Sequence, residues 1–188
     1  MNGSNRTEQS GILKKEIEFE IGKQEVNHDA ICYENESAID RRDIAMSGAP
    51  LILSLRPGPY ARLSEGTKLH EFRRRFPDEA TLVFLYLSAP ISAVAAYAEF
   101  GRPIVGTPEE LAAIAEKDEA GSYADTLDYF KGLSKGYALP LLSLREIEPM
   151  PLTELRDTFG FRPPLSYRRV EAGSLLEREL KKKLEMRS

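Results

Sequence analysis

The residues best suited to chemistry lie in one short stretch, Gly66–Pro77. It places six ionisable side chains in the eight positions from Lys68 to Arg75. Two apolar segments that are typical of core strands, Leu51–Leu55 and Thr81–Leu87, lie on either side of it. Polar side chains are rarely buried in a frame of core strands without a specific reason. We therefore expect this stretch to form a strand that lines a ligand cleft.

Three side chains of the stretch have complementary chemistry. Lys68 and Arg73 are cationic donors suited to a phosphate or a carbonyl oxygen, and Glu71 accepts hydrogen bonds, for example from an exocyclic amine. On an extended strand Lys68 and Glu71 point to opposite faces unless a bulge intervenes, whereas Arg73 and Arg75 share a face. In an enzyme, Lys68 and Glu71 would act as base and acid. In a binding protein, Lys68, Glu71 and Arg73 would hold the ligand.

Further candidates lie elsewhere in the chain. Lys131 and Lys135, around Gly132 and Gly136, are expected to form a phosphate-facing turn. Ser166 is expected to return to the cleft mouth. His70 has no second histidine nearby, so a structural or exposed role is expected. Several tyrosines would suit base stacking, although core positions are the commoner role of this residue type: these are Tyr86, Tyr97, Tyr129 and Tyr137.

Composition excludes several functional classes. The single Cys32 rules out an internal disulfide, and His28 and His70 are too few and too far apart to predict a metal site, so no metal or cofactor is expected. The sequence has no run of about 18 apolar residues, so no membrane span is predicted, and we expect a cytoplasmic protein. A net charge of −4 excludes a globally basic nucleic-acid-binding surface and leaves only local clusters.

The strands and helices that must position these residues are predicted from the periodicity of apolar residues and from residues that form turns and helix caps. Residues 1–49 are predicted to be a partly disordered extension with one alternating strand within 12–21, and residues 50–170 form the domain. Residues 171–188 form a charged helical tail that lies on the surface. Thr107-Pro108-Glu109-Glu110 has the capping-box pattern that starts a helix, which is predicted to run to about Glu116. Strands outnumber helices, which predicts an α+β domain on a mixed, curled sheet.

The order and spacing of several motifs resemble the ASCH domain family (activating signal cointegrator homology). The resemblance covers about residues 50–170. The motifs are Leu53-Ser54-Leu55-Arg56-Pro57, Gly66-Thr67-Lys68 with Glu71 and Arg73, Tyr86-Leu87-Ser88-Ala89-Pro90, Thr107-Pro108-Glu109-Glu110-Leu111, Tyr129-Phe130-Lys131-Gly132 with Gly136-Tyr137-Ala138, and Pro163-Pro164-Leu165-Ser166-Tyr167. The resemblance implies a PUA-like fold, a small mixed β-barrel with helices over its ends, and a cleft for nucleic acid or a nucleoside lined by Lys68, Glu71 and Arg73.

The resemblance leaves three functions open. The first is an RNA-binding or nucleoside-binding module without a cofactor, with a ligand set of Lys68, Glu71, Arg73, Arg75, Lys135, Tyr137 and Ser166. The second is an enzyme, either a ribonuclease or an amide hydrolase acting on N4-acetylcytidine. Members with the latter activity have a threonine nucleophile where this chain has Glu71, and a carboxylate does not simply replace it. The third is a protein-interaction or transcription-regulatory module that uses residues 1–49.

Overall fold

The computed structural model describes residues 50–79 and 81–185. Within these ranges there are seven strands and five helices. The strands are β1 (Leu51–Leu55), β2 (His70–Arg73), β3 (Thr81–Leu87), β4 (Ala93–Phe100), β5 (Ile104–Gly106), β6 (Gly136–Pro151) and β7 (Tyr167–Arg169). The helices are α1 (Pro57–Ser64), α2 (Pro108–Asp118), α3 (Tyr123–Tyr129), α4 (Leu152–Phe159) and α5 (Leu175–Glu185). Cys32, His28 and the strand predicted within 12–21 lie outside the described residues.

One mixed sheet contains all seven strands. Its order is β2-β6-β4-β3-β1-β7, and β5 also pairs with β6. The β1–β3 pair is parallel and the other pairs are antiparallel. The long β6 pairs with β2 and β5 through its first half and with β4 through its second, so the sheet curls. The predicted α+β class with a mixed, curled sheet is confirmed.

The centre of the sheet is buried on both faces because β1 and β3 are almost entirely apolar. Leu53 and Leu85 lie in one apolar cluster, whereas Ile52 and Phe84 lie in a second cluster on the other face. This is the period of two expected for strands. Residues buried on both faces of a central strand give a continuous apolar run rather than an alternating one.

Two helix ends follow the local sequence closely. The α2 helix begins with the predicted capping box, in which the Thr107 hydroxyl accepts from the Glu110 amide and the Glu110 carboxylate accepts from the Thr107 amide. It continues to Asp118, two residues beyond the predicted end. The α1 helix has Glu65 as its C-cap, and Gly66 follows at a φ of 73°, a left-handed conformation that favours glycine.

The Ala-rich segment Ala93–Phe100 forms the strand β4, which pairs with β3 on one side and with β6 on the other. The C-terminal helix differs in detail from its predicted form. In α5, Leu176 and Leu180 are buried in the same cluster as Ile52. The charged face of α5 therefore lies outward while its leucines contribute to the core. No helix within 50–79 and 81–185 is long and apolar enough to cross a membrane.

Candidate functional site: a cleft with a buried charge cluster

A cleft with a volume of about 860 Å³ opens on the surface of the domain. Side chains from the end of β1, from α1, β2, α2 and α3, and from the segment 163–166 line it. The stretch around β2 forms part of its wall, as does the start of α3. Segments more than 100 residues apart in the chain therefore meet at one opening, which is the usual setting of a ligand site.

A three-residue charge cluster, Lys68, Glu71 and Arg73, lies in this cleft. Lys68 Nζ donates to Glu71 Oε2 at 2.6 Å, and Arg73 Nη2 lies 2.9 Å from Glu71 Oε1. Both carboxylate oxygens of Glu71 are thus engaged by a cation. The expectation that Lys68 and Glu71 point to opposite faces is wrong, because β2 begins only at His70 and Lys68 lies before the strand. The alternation does hold for Glu71 and Arg73, which share the buried face of β2.

The charge cluster carries more positive than negative charge. Its two cations and one carboxylate leave a net charge of +1. Glu71 is 4% exposed and Arg73 is 8% exposed, so water screens this excess poorly. Arg73 Nε is also buried and makes no hydrogen bond within the part of the chain that the structure describes. Buried donors without an acceptor are costly, and a bound anion or carbonyl oxygen would satisfy one.

Ser54 connects the charge cluster to the segment 163–166. Its carbonyl oxygen accepts a hydrogen bond from Arg73 Nη2 at 3.0 Å. Its hydroxyl donates to the carbonyl of Pro164 at 2.6 Å, and its amide donates to the carbonyl of Ser166 at 2.8 Å. One polar residue at the end of an otherwise apolar strand thereby fixes the guanidinium and the segment beside it. The signal in the sequence is a polar serine between Leu53 and Leu55 in an otherwise apolar run.

The other polar group of β2, His70, pairs with Asp118. His70 Nδ1 lies 3.0 Å from Asp118 Oδ2, and the same carboxylate accepts from the amides of Leu69 and His70. Asp118 is the last residue of α2 and also lines the cleft. His70 therefore has a partner, and the contact ties α2 to β2. Sequence reasoning missed Asp118 because it lies 48 positions from His70 along the chain.

Further cations lie around the cleft. Arg74 Nη2 donates to the carbonyl of Lys131 at 3.3 Å. Arg62 Nε lies 3.2 Å from Glu119 Oε2 as an ion pair, and it makes no hydrogen bond within the described residues. Arg56 is exposed and also lines the cleft. Arg56 and Arg74 extend the positive charge from the buried cluster towards the solvent, whereas the charge of Arg62 is balanced by Glu119.

Some of the remaining predicted ligand-binding residues line the cleft, and others do not. Ser166 lines the cleft with the charge cluster. Arg75 and Lys135 are exposed and are not among the residues that line it, and Tyr137 packs against the apolar core from β6. Among the tyrosines considered for stacking, Tyr86 and Tyr129 line the cleft, whereas Tyr97 packs near Phe84. Within the described ranges no group of three His, Cys, Asp or Glu side chains could hold a metal ion.

Glu116 fixes the connection between α2 and α3. Its carboxylate accepts from the amides of Gly121 and Tyr123, both at 2.8 Å, and these bonds lower the pKa of the Glu116 carboxyl below its ordinary value of 4.5. A carboxyl with a lowered folded-state pKa stabilises the fold above its unfolded pKa, and this contribution is lost as the pH falls through the folded value.

We therefore expect Glu116→Gln to lower the Tm by a few degrees at pH 7, because an amide oxygen accepts more weakly than a carboxylate. The difference in Tm between the variant and the wild type should shrink as the pH falls below about 4.5, because the wild-type carboxyl then loses its charge. Thermal unfolding of both proteins between pH 3 and pH 8 measures it. A difference that is independent of pH would show that the charge of Glu116 contributes nothing.

Comparison with solved structures identifies the fold. The ASCH protein from Zymomonas mobilis is 25% identical to this chain with a TM-score of 0.61, and the match covers 74% of this chain and 96% of that protein. A serine-to-alanine mutant of it has a TM-score of 0.62, with 72% and 96% covered. A tyrosine-to-phenylalanine mutant also has a TM-score of 0.62, with 75% and 100% covered. The chain has the fold of an ASCH domain.

The ASCH fold accounts for the shape of the sheet. Its curled, half-barrel form with helices over the ends matches the PUA-like fold of those structures, and the resemblance inferred from the motifs is confirmed. No protein-family profile and no curated protein matches the chain. The fold is therefore established by structural similarity, and the function has to be argued from the cleft.

Proposed function

We propose that this ASCH domain binds RNA or a single nucleotide in the cleft, with a phosphate or a base carbonyl held by Lys68 and Arg73. The observation that carries the proposal is the net positive charge of the buried cluster. An ammonium and a guanidinium held by one carboxylate have donors left over, and phosphate and carbonyl oxygens are their natural acceptors. The PUA-like fold is consistent with a nucleic-acid or nucleotide ligand.

In this proposal Glu71 positions the two cations. Both of its oxygens are engaged by Lys68 and Arg73 at 2.6 and 2.9 Å, so the carboxylate holds each donor at a fixed place. A carboxylate held between two cations is a poor nucleophile and a poor base, because both reactions would require it to leave its partners. This arrangement favours binding over the acid–base pair considered for a hydrolase.

The alternative function is hydrolysis, and the same cleft must be tested for it. An amide hydrolase would release acetate from N4-acetylcytidine, and a ribonuclease would shorten an RNA strand. The proposed binding function predicts neither product when the purified protein is incubated with these substrates. Turnover that Glu71→Gln abolishes would replace the binding function by an enzymatic one.

Replacing Lys68 by methionine tests the binding proposal directly. The remaining Glu71–Arg73 pair is neutral, so the excess positive charge is lost while most of the side-chain volume is kept. We expect the affinity for a short single-stranded RNA to fall by about 10- to 100-fold, as for the loss of a charge-assisted hydrogen bond. Fluorescence anisotropy with a labelled RNA oligonucleotide measures it.

The salt dependence of the same measurement separates a phosphate contact from a general loss of folding. If Lys68 contacts a phosphate, the slope of log K against log salt should decrease in magnitude by about 0.7. Lys182→Met is the matched control, since Lys182 is an exposed lysine on α5 with a single ion pair to Glu179. Equal losses in both variants would contradict a site at Lys68. A loss in Lys135→Met would extend the site to the turn before β6.

A further inference from the structure

An exposed apolar corner of the sheet lies outside the cleft. Ile104 and Val105 of β5 are 42% and 43% exposed, and Leu142 of β6 is 47% exposed. Leu142 lies beside Gly101, since a Cβ on that glycine would be 3.6 Å from Leu142 Cδ2, and Gly101 comes three residues before Ile104. None of these residues lines the cleft. Apolar side chains that cluster on a surface commonly mark a contact with another protein.

The β5 strand also has an open edge. Among the described residues it pairs only with β6, and Val105 lies opposite Tyr137. On the other side of β6, the Leu141 amide donates to the carbonyl of Leu69 at 2.9 Å, so the backbone groups of Leu141 and of every second residue before it face β2. Tyr137 is one of these, and the residue opposite it in an antiparallel pair then points away as well. The amide and the carbonyl of Val105 are therefore directed to the open edge of β5.

The open edge of β5 is complementary to itself. If two copies place this strand antiparallel about a twofold axis at Val105, each Val105 amide donates to the Val105 carbonyl of the other copy. The same register sets Ile104 opposite Gly106 of the second copy, which carries no side chain that would compete for the space. Exposed strand edges tend to pair with another chain unless charges, prolines or bulges protect them, and the two side chains before Gly106 are apolar.

Charges on the two sides of β5 favour the same arrangement. Arg102 precedes the strand, and its side chain is 68% exposed and lies 3.8 Å from Asp78. Glu109 follows the strand in the first turn of α2 and is also exposed. In an antiparallel pair centred on Val105, Arg102 lies opposite Pro108 of the second copy and therefore next to Glu109 of that copy. A cation and a carboxylate then meet on each side of the twofold axis.

We propose that β5 is a dimerisation edge at which two copies of this chain join their sheets through Val105. The partner is a second copy because the hydrogen-bonding groups of Val105, the fit of Ile104 to Gly106 and the flanking charges are all satisfied by one twofold axis. The strand has only three residues, so the contact is small and the dimer is weak and reversible. The interface is independent of the proposed RNA-binding function, because its residues lie outside the cleft.

Sedimentation velocity of the full chain tests this interface, under reducing conditions so that Cys32 cannot link two chains. The sedimentation coefficient of the wild type should rise from that of a monomer to that of a dimer between about 1 µM and 1 mM, the range of small transient contacts. Val105→Lys should remain monomeric, because two lysines would meet at the axis. Leu175→Lys is the matched control, since Leu175 is an exposed leucine on α5, and it should dimerise like the wild type.

Charge reversal provides a second test that leaves β5 itself unchanged. Arg102→Glu should weaken the dimer by about 2- to 30-fold, because two exposed ion pairs are lost. Glu109→Arg should weaken it by a similar factor, and the two changes together should restore the wild-type affinity. Loss of the contact between Arg102 and Asp78 alone would not be reversed by Glu109→Arg. Arg178→Glu, at an exposed arginine of α5, is the control and should have no effect.

Two results would overturn the inference. One is a wild-type protein that stays monomeric up to the highest concentration. The other is a dimer that neither Val105→Lys nor the two single charge reversals weaken, since it would have to form through another surface. Either result leaves the proposed RNA binding standing, because the anisotropy assay with Lys68→Met measures the cleft and not the edge of β5.

Discussion

Replacing Glu71 by glutamine is expected to lower the free energy of unfolding by about 3–5 kcal/mol at neutral pH. The change keeps the shape of the side chain but removes its charge. Lys68 and Arg73 then remain as two cations without the carboxylate that both contact within 3 Å. Urea unfolding followed by circular dichroism measures the loss. Among surface charges such a loss would be exceptional, and here it arises because Glu71 and Arg73 are buried.

An exposed ion pair with a similar distance provides the control. Glu79 Oε1 lies 2.9 Å from Arg169 Nη2, but more than half of each side chain is exposed. Glu79→Gln should therefore cost less than about 1 kcal/mol. Comparable losses of unfolding free energy in the two variants would mean that water screens the charge cluster. The proposal that an anion binds in the cleft would then also be wrong. Sulfate should stabilise Glu71→Gln more than the wild type, because an anion replaces the missing carboxylate.

Replacing Gly136 by alanine is expected to destabilise the domain by roughly 2–3 kcal/mol. A Cβ at this position would lie 2.2 Å from Cε1 of Phe130 and 2.9 Å from Cδ1 of Leu111. Both neighbours are fully buried, so neither can move aside cheaply. The displaced Phe130 also supports Tyr129, so the variant should bind single-stranded RNA more weakly as well. Thermal unfolding and the anisotropy assay measure the two effects.

Gly58→Ala is the appropriate comparison for this variant. No atom lies within 4 Å of a Cβ at Gly58, and its φ is not in the left-handed region. Since Gly58 is in α1, alanine there should be neutral or stabilising by up to about 1 kcal/mol. If Gly136→Ala were equally neutral, Phe130 would have to possess an alternative rotamer, and its edge-on packing against Phe72 and Tyr129 would not be rigid.

Local sequence determined the strands and helices well. The apolar runs of β1 and β3 predict central strands because a strand buried on both faces has no polar side to show. The capping box at Thr107 predicts the start of α2 because its hydrogen bonds are made within four residues. The motifs around Lys68 and Arg73 pointed to the ASCH domain because they lie in the right order. Each of these signals depends on neighbours along the chain or on spacing.

The geometry of the cleft was decided by tertiary structure. The contact between Lys68 and Glu71 depends on where β2 begins, and β2 begins at His70, which is paired with Pro140 of β6. Asp118 meets His70, and Ser54 meets Pro164, across 48 and 110 positions of the chain. No local pattern encodes such pairs. They form when packing of the curled sheet against its helices brings distant residues into hydrogen-bonding distance.

By itself, then, the sequence determined the α+β class, the ASCH resemblance and the polar stretch that contains Lys68, Glu71 and Arg73. Only the tertiary structure decided that these three residues form a buried cluster with excess positive charge, and that Leu165 and Tyr129 line the same cleft. The physical reason is that residue types and spacings fix local conformation, whereas burial and the distances between remote side chains depend on how the elements pack.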